Sequence, residues 1–162
     1  MDFVIRRATR EDVPEMLRLW REMMDFHAQL EPRFRPKPSP DGERAWEAYL
    51  QQDIWDSEDW GVFVAAEDGR LVGQIMGNLR STVPVFEPED YGYVTDIVVD
   101  PQARRRGVGK ALFQALKSWF RERGVSHLQL QVAHNNAASR AFWRAVGCSD
   151  YMHTLWYDLE AG

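Results

Sequence analysis

The sequence predicts an α/β domain, a mixed sheet with helices packed on it, over residues 1–162 as a single unit. Three observations carry that expectation. Segments with apolar residues at every second position, Trp60–Ala66 and Leu128–Val132, have the period of half-buried strands. Segments with apolar residues three and four apart, chiefly Val13–Met24 and Gly107–Arg121, have the period of amphipathic helices. The two kinds alternate along 162 residues, of which 44% are hydrophobic and 12% aromatic, enough for one substantial core. No internal repeat, low-complexity tract or domain linker interrupts them.

The elements follow in order. Phe3–Arg6 is a short strand candidate. Thr9 with Asp12 three residues later resembles a capping box. Val13, Met16, Leu17, Trp20 and Met24 then recur at helical spacing. Pro32, Pro36, Pro38 and Pro40 forbid a regular helix between Glu31 and Pro40. Glu43 to Ile54 reads as a second helix. Trp60, Val62, Val64 and Ala66 form one face of a strand, and Asp68-Gly69 is a hairpin turn leading to its partner, Leu71–Leu79. Pro84–Asp90 is irregular. Tyr91–Val99 is a strand ended by Asp100-Pro101. Val108, Leu112, Ala115, Leu116, Trp119 and Phe120 lie on one stripe of the next helix, which Gly124 stops. Leu128–Val132 is a strand. Ala137–Val146 is a short helix, capped by Asn135 or Asn136 and ended by Gly147. Tyr151–Leu159 is expected to be a last strand or hairpin, giving the order β-α-α-β-β-β-α-β-α-β.

Composition narrows the function classes. The formal net charge is -5, so a global basic footprint for nucleic acid is absent. Arg104–Arg106 and Lys110 form a local basic cluster that can still hold an anion. Cys148 is the one cysteine, which points to a reducing, cytoplasmic compartment. The N-terminal residues carry charges where a signal peptide would be apolar, and no apolar run approaches the roughly 20 residues of a membrane span. The four histidines show no metal-ligand spacing, so no metal is expected.

The most informative segment runs from Ile97 to Lys110. A buried strand ends at Pro101, a polar loop follows, and a helix begins near Gly107. Glycines there allow close backbone approach, and free N–H groups at the positive end of the helix dipole suit a phosphate. A P-loop would need Gly at Arg104 and Ser or Thr at Ala111. A dinucleotide fingerprint would need Gly at Leu112. What remains is Arg-x-x-Gly-x-Gly, from Arg104 to Gly109, set between a strand and an amphipathic helix.

With these residues the chain resembles the GNAT superfamily of N-acetyltransferases, whose pyrophosphate motif Arg104, Gly107 and Gly109 match. Asn136 and Gly147 match a second family feature, the Asn-x-x-Ala-x-x-x-Tyr-x-x-x-Gly-Phe helix, with Cys148 where Phe is usual. The resemblance implies a mixed, mostly antiparallel sheet flanked by helices, with splayed central strands forming a CoA cleft. It implies acetyl-CoA as acyl donor, the N–H groups of Arg104, Arg105, Arg106, Gly107, Val108, Gly109 and Lys110 around its pyrophosphate, and the edge of Ile97, Val98 and Val99 along its pantetheine arm, with the Ile97 amide facing the thioester oxygen. The acceptor would be a small-molecule or peptide amine, and a homodimer is compatible with the family. One departure is Trp143, where many relatives place a Tyr near the sulfur. Indole N–H donates but does not titrate in this range, so Trp143 can contact the pantetheine arm without protonating a thiolate. Tyr151, another hydroxyl or water would then serve.

A lysine-like amine is almost wholly protonated at neutral pH, so the site must remove a proton. Two candidate bases are open. Asp96 lies one residue before the pantetheine edge, on the face opposite Ile97 by strand alternation. His134 lies just past the Leu128–Val132 strand. Tyr93, Glu87 and Glu89 could position a cationic amine, and His27 with Asp25, Phe26 and Phe34 could border its pocket. Three readings stay in play: an acetyl-CoA-dependent N-acetyltransferase, a catalytically silent CoA-binding regulatory module, and a plain interaction domain whose basic turn binds nothing.

Overall fold

The computed structural model describes residues 2–160. Five strands form one sheet in sequence order: β1 (Val4–Arg7), β2 (Trp60–Glu67), β3 (Arg70–Ser81), β4 (Asp90–Val99) and β5 (Leu128–Leu130). The first four pair antiparallel, and β5 joins β4 in parallel. Helices α1 (Val13–Leu30) and α2 (Asp41–Tyr49) cover one face, and α3 (Val108–Glu122) covers the other. α4 (Ala137–Ala145) sets Trp143 against Phe113 of α3.

Each face buries its own apolar set. Met16, Leu19 and Trp20 of α1 lie on Val64, Met76 and Val98. Leu112, Leu116 and Phe120 of α3 lie on Ile75, Val94 and Ala65. The alternation in the strands supplies both faces, and the helical stripes supply their covers. Gly77 and Gly92 let α3 sit close, because a methyl group at either would lie within 3.0 Å of the Phe120 ring.

Thr9 and Asp12 do cap the chain as it enters α1. The Thr9 N–H donates to the Asp12 carboxylate at 2.8 Å, and Arg6 donates to both its oxygens at 2.7 Å. That guanidinium holds the Asp12 carboxyl below its ordinary pKa.

Three expectations differ from the structure. The second helix is not one regular helix to Ile54. It ends at Tyr49 and continues as a π turn, Leu50–Ile54, with Trp55 N–H bonded to Leu50 O at 3.1 Å, and both Leu50 and Ile54 are buried by it. The strand expected over 128–132 stops at Leu130. The last expected strand or hairpin, Tyr151–Leu159, does not form. That segment is extended and exposed, with Leu155 at 91% and Tyr157 at 81%, and its one side-chain hydrogen bond toward β5 is Gln131 to Thr154 at 3.4 Å. Alternating apolar residues state a preference for a half-buried pleat, and only a neighbouring strand can satisfy it.

Candidate active site

A single extra residue in β4 shapes the site. Met76 of β3 faces Asp96 while Gly77 faces Val94, so Thr95 is bulged out of the pairing, its hydroxyl donating to Met76 O at 3.2 Å. The bulge resets the alternation. Val94, Ile97 and Val99 all point to the α3 face, and Val98 points to the α1 face with Met76. Asp96 shares the α1 face with Val98, opposite Ile97.

The same bulge lies where the sheet opens. β5 pairs with Gly92, Tyr93 and Val94 and no further. Asp100 N–H bonds to Val72 O across β3 at 2.9 Å, so Val98 turns its main-chain groups toward β3 as well. Alternation then leaves the N–H and C=O of Ile97 and Val99 facing the gap beyond β5. This is an unpaired strand edge of the kind an extended ligand arm can join.

The basic loop closes one end of that gap. Its root is anchored by buried Asp100, which accepts from Gln102 N–H at 3.0 Å and pairs with Arg18 at 3.4 Å and Arg70 at 3.2 Å. Two residues then take left-handed backbone, Arg105 at φ 64° and Gly107 at φ 87°. Such φ is disfavoured for an arginine and marks a backbone held in a particular shape. The first main-chain bond of α3 runs from Ala111 N–H to Gly107 O at 3.0 Å. The N–H groups from Arg105 to Lys110 donate to no main-chain carbonyl among the described residues. They therefore stand free at the positive end of a 15-residue helix.

The four cations of the loop are not equivalent. Arg106 is committed to ion pairs with Glu67 and Asp2. Arg104 folds back, its Nε donating to Val99 O at 3.4 Å. Arg105 and Lys110 are exposed and make no ion pair among the described residues. A cavity of about 350 Å3 on the Arg106 flank is lined by Glu67, Asp68, Arg70 and Asp100. Glu67 and Asp100 already engage Arg106 and Arg70 there, so it suits an anion less well than the free N–H row.

Opposite the loop, α4 contributes Phe142. A methyl group at Gly109 would lie 3.3 Å from that ring and 3.6 Å from Val99. Phe142 and Val99 thus wall the gap at Gly109. Trp143, one residue on, is 5% exposed and sits edge-on to Phe113 and Phe142 at 5.2 and 5.0 Å. It faces the core, which leaves Phe142 as the α4 ring against the loop. Asn136 is buried and caps α4, its side chain accepting from Ser139 N–H at 3.0 Å.

Asp96 lies on the α1 face, opposite Met76 of β3. Burial pushes its carboxyl above the ordinary aspartate pKa, against the opposing pull of the Thr95 hydroxyl and of His27. His27 Nδ1 donates to Met23 O at 2.8 Å, since a carbonyl oxygen only accepts. Tyr49 is edge-on to Trp60 at 6.0 Å and lies near enough for the Asp96 charge to reach its phenol. Burial first, then the charges of Asp53 and Asp96, raise its phenol pKa.

The other candidate residues lie elsewhere. His134 is exposed on the turn before α4, its carbonyl accepting from Arg140 at 3.4 Å, and the imidazole whose charge reaches Asp96 is His27. Tyr151 is 71% exposed on the C-terminal segment, away from any strand. Glu87 and Glu89 are exposed in the loop between β3 and β4. Phe142, Tyr49 and Arg80 were absent from the sequence reading of the site. Only the Thr95 bulge and the α2 path bring the last two toward Asp96, and neither carries a local signal. Among the described residues no group of three His, Cys, Asp or Glu side chains comes together as metal ligands, and no helix is long and apolar enough to cross a membrane.

The model of the acetyltransferase (GNAT) family matches residues 17–148. This chain belongs to that family. A peptidyl-lysine N-acetyltransferase, YiaC of Escherichia coli, is 28% identical over 145 residues, covering 89% of this chain and 82% of YiaC. The L-2,4-diaminobutyric acid acetyltransferase of Nocardia farcinica is 38% identical over 100 residues, and that match spans 61% of this chain and only 48% of the relative. Among solved structures, a mutant of the BH1408 protein of Bacillus halodurans superposes with a TM-score of 0.82 at 23% identity, over 96% of this chain and 99% of that one. An aminoglycoside N-acetyltransferase, AAC(6')-Iy in complex with CoA, does so with a TM-score of 0.73 at 21% identity, over 98% and 95%. At such identities these structures establish the shared GNAT fold, a mixed five-stranded sheet flanked by helices.

Proposed function

We propose that this GNAT domain, residues 1–162 acting as one unit, transfers an acetyl group from acetyl-CoA to a primary amine. The observation that carries this reading is the continuity of three features. The free N–H row at Arg105–Lys110, the unpaired edge at Ile97 and Val99, and Asp96 on the opposite face follow one another along a single strand and loop. Pyrophosphate, pantetheine and acceptor amine would meet them in that order. Cationic Arg104, Arg105 and Lys110 add attraction for the diphosphate. Named relatives include acetyltransferases of diaminobutyrate, peptidyl-lysine and aminoglycoside amines, so a primary amine is the acceptor chemistry they share. Reduced Cys148, whose thiol burial pushes up in pKa, fits a cytoplasmic setting.

The step balances as follows. Asp96, directly or through water, takes a proton from the ammonium. The amine nitrogen bonds to the thioester carbon, whose oxygen gathers charge beside the Ile97 N–H. The C–S bond then breaks, its electron pair leaving on sulfur. The nitrogen, cationic after attack, sheds its surplus proton, directly or through water, to the departing thiolate, Asp96 returns its own proton to solvent, and the products are the acetamide and CoA. A carboxyl whose pKa burial has raised is better matched to accept that proton than an ordinary surface carboxylate.

Thiol release over a panel of primary amines tests the reading against a silent CoA-binding module. CoA release above the hydrolysis background, with the acetylated amine found by mass spectrometry, is expected. Tight acetyl-CoA binding with no turnover on any amine would favour the silent module.

A further inference from the structure

The α1 face around Asp96 carries a positive charge as well as a negative one. On the α1 face, Met76 opposite Asp96 and Asn78 opposite Tyr93 are successive steps of the β3–β4 pairing, and Arg80 follows two residues on. The Arg80 guanidinium lies back over the Tyr93 ring, 3.5 Å from its centroid. Its Nε donates to Asn78 Oδ1 at 3.2 Å. These two contacts fix the plane of a side chain that would otherwise range through solvent. They also leave both terminal nitrogens free, since Arg80 makes no ion pair among the described residues. A planar guanidinium with its outer edge open is the fork that accepts a carboxylate in two parallel hydrogen bonds.

The spacing gives that fork a meaning. Stacked on Tyr93, the guanidinium lies one same-face step from the level of Asp96, about 7 Å along the strand. The Tyr49 phenol responds to Asp96 and to Arg80 with opposite sign. A negative group and a positive group therefore share one face of the sheet at a separation that a short molecule can bridge. A plain polyamine would place an ammonium against Arg80 at a cost in repulsion. A molecule with an anionic end would not.

Building on the acetyl-transfer reading, we infer that the acceptor is a small amino acid, its carboxylate held by Arg80 over Tyr93 while its amine reaches Asp96. Arg80 is then the residue that selects amino acids over the corresponding amines.

The test is steady-state CoA release with matched pairs that differ by one carboxylate: lysine against cadaverine, and ornithine against putrescine. In the wild-type chain, kcat/KM is expected to favour the amino acid of at least one pair by about 10- to 100-fold, the range of one charged hydrogen-bonded contact. In Arg80→Gln that preference should collapse, chiefly through a higher KM for the amino acid. Arg80→Lys should recover part of it, since the charge returns without the fork. Equal or greater activity on the amines in both pairs overturns the inference and leaves the acetyl-transfer reading standing. So does a preference that survives Arg80→Gln. No release with any of the four, or with any other primary amine, overturns both.

Discussion

Replacing Gly107 by Trp separates the fold of the loop from its proposed use. Gly107 has φ 87°, and a Cβ there would meet nothing within 4 Å. Two consequences follow from those numbers. The first side-chain atom meets no neighbour, so the backbone cost is that of placing an L-residue in left-handed backbone, about 1–2 kcal/mol. For a chain of this size that is a fall in Tm of roughly 2–8 °C. The open space beside Gly107 is also the approach to the free N–H row, and an indole would fill it. Losing two or more charge-assisted hydrogen bonds costs about 1.5–3 kcal/mol each, so Kd for acetyl-CoA should rise roughly 10²–10⁴-fold. Gly107→Ala supplies the control, with the same backbone cost and little bulk. Thermal unfolding gives the first quantity and isothermal titration the second. A Trp variant that loses the expected few degrees yet binds acetyl-CoA as the wild type does would refute the pyrophosphate assignment.

Two further predictions rest on carboxylates. Asp96→Asn should lower kcat about 10²–10⁴-fold and, because its buried carboxyl has a raised pKa, should make the protein more stable at neutral pH. A group whose folded pKa lies above its unfolded value costs stability once the pH passes the ordinary aspartate value of 3.8, so the gain seen in urea midpoints should vanish as the pH falls toward it. An Asp96→Asn chain with undiminished kcat would remove Asp96 from the base role. Asp12, whose carboxyl Arg6 holds low, has the opposite sign: its contribution is present above about pH 3.8 and is lost as the pH falls through the lower folded value. Asp12→Asn should therefore be less stable than the wild type at neutral pH and converge with it in acid. A constant difference down the acid limb would contradict the Arg6 pairing.

The fold was legible in the sequence wherever one residue class repeated at one period. The stripe from Val108 to Phe120 and the alternation in Trp60–Ala66 each state both an element and the face it buries. The loop from Arg104 to Gly109 was legible because its glycines and arginines are local requirements of backbone shape and charge. The acceptor side was not. Arg80 and Tyr93 meet only because β3 and β4 pair in one register, and Asp96 turns from Val94's face only because Thr95 bulges. A sequence records neither, since each is decided by the neighbouring strand. Phe142 and Trp143 show the same limit at the scale of one residue. Both suit a helix, and only the packing of α4 on Phe113 decides which ring faces the loop. The C-terminal segment failed for the related reason that its pattern needs a partner strand, which β5, three residues long, does not supply.

The binding of acetyl-CoA underlies every step above, and thermal unfolding of the wild-type chain in saturating acetyl-CoA tests it most directly. At a ligand concentration 100 times Kd, stability should rise by about 2.7 kcal/mol, which for this size of chain raises Tm by roughly 5–11 °C. The rise should be absent in Gly107→Trp. No shift in the wild type at any attainable concentration would contradict the assignment of this site to acetyl-CoA.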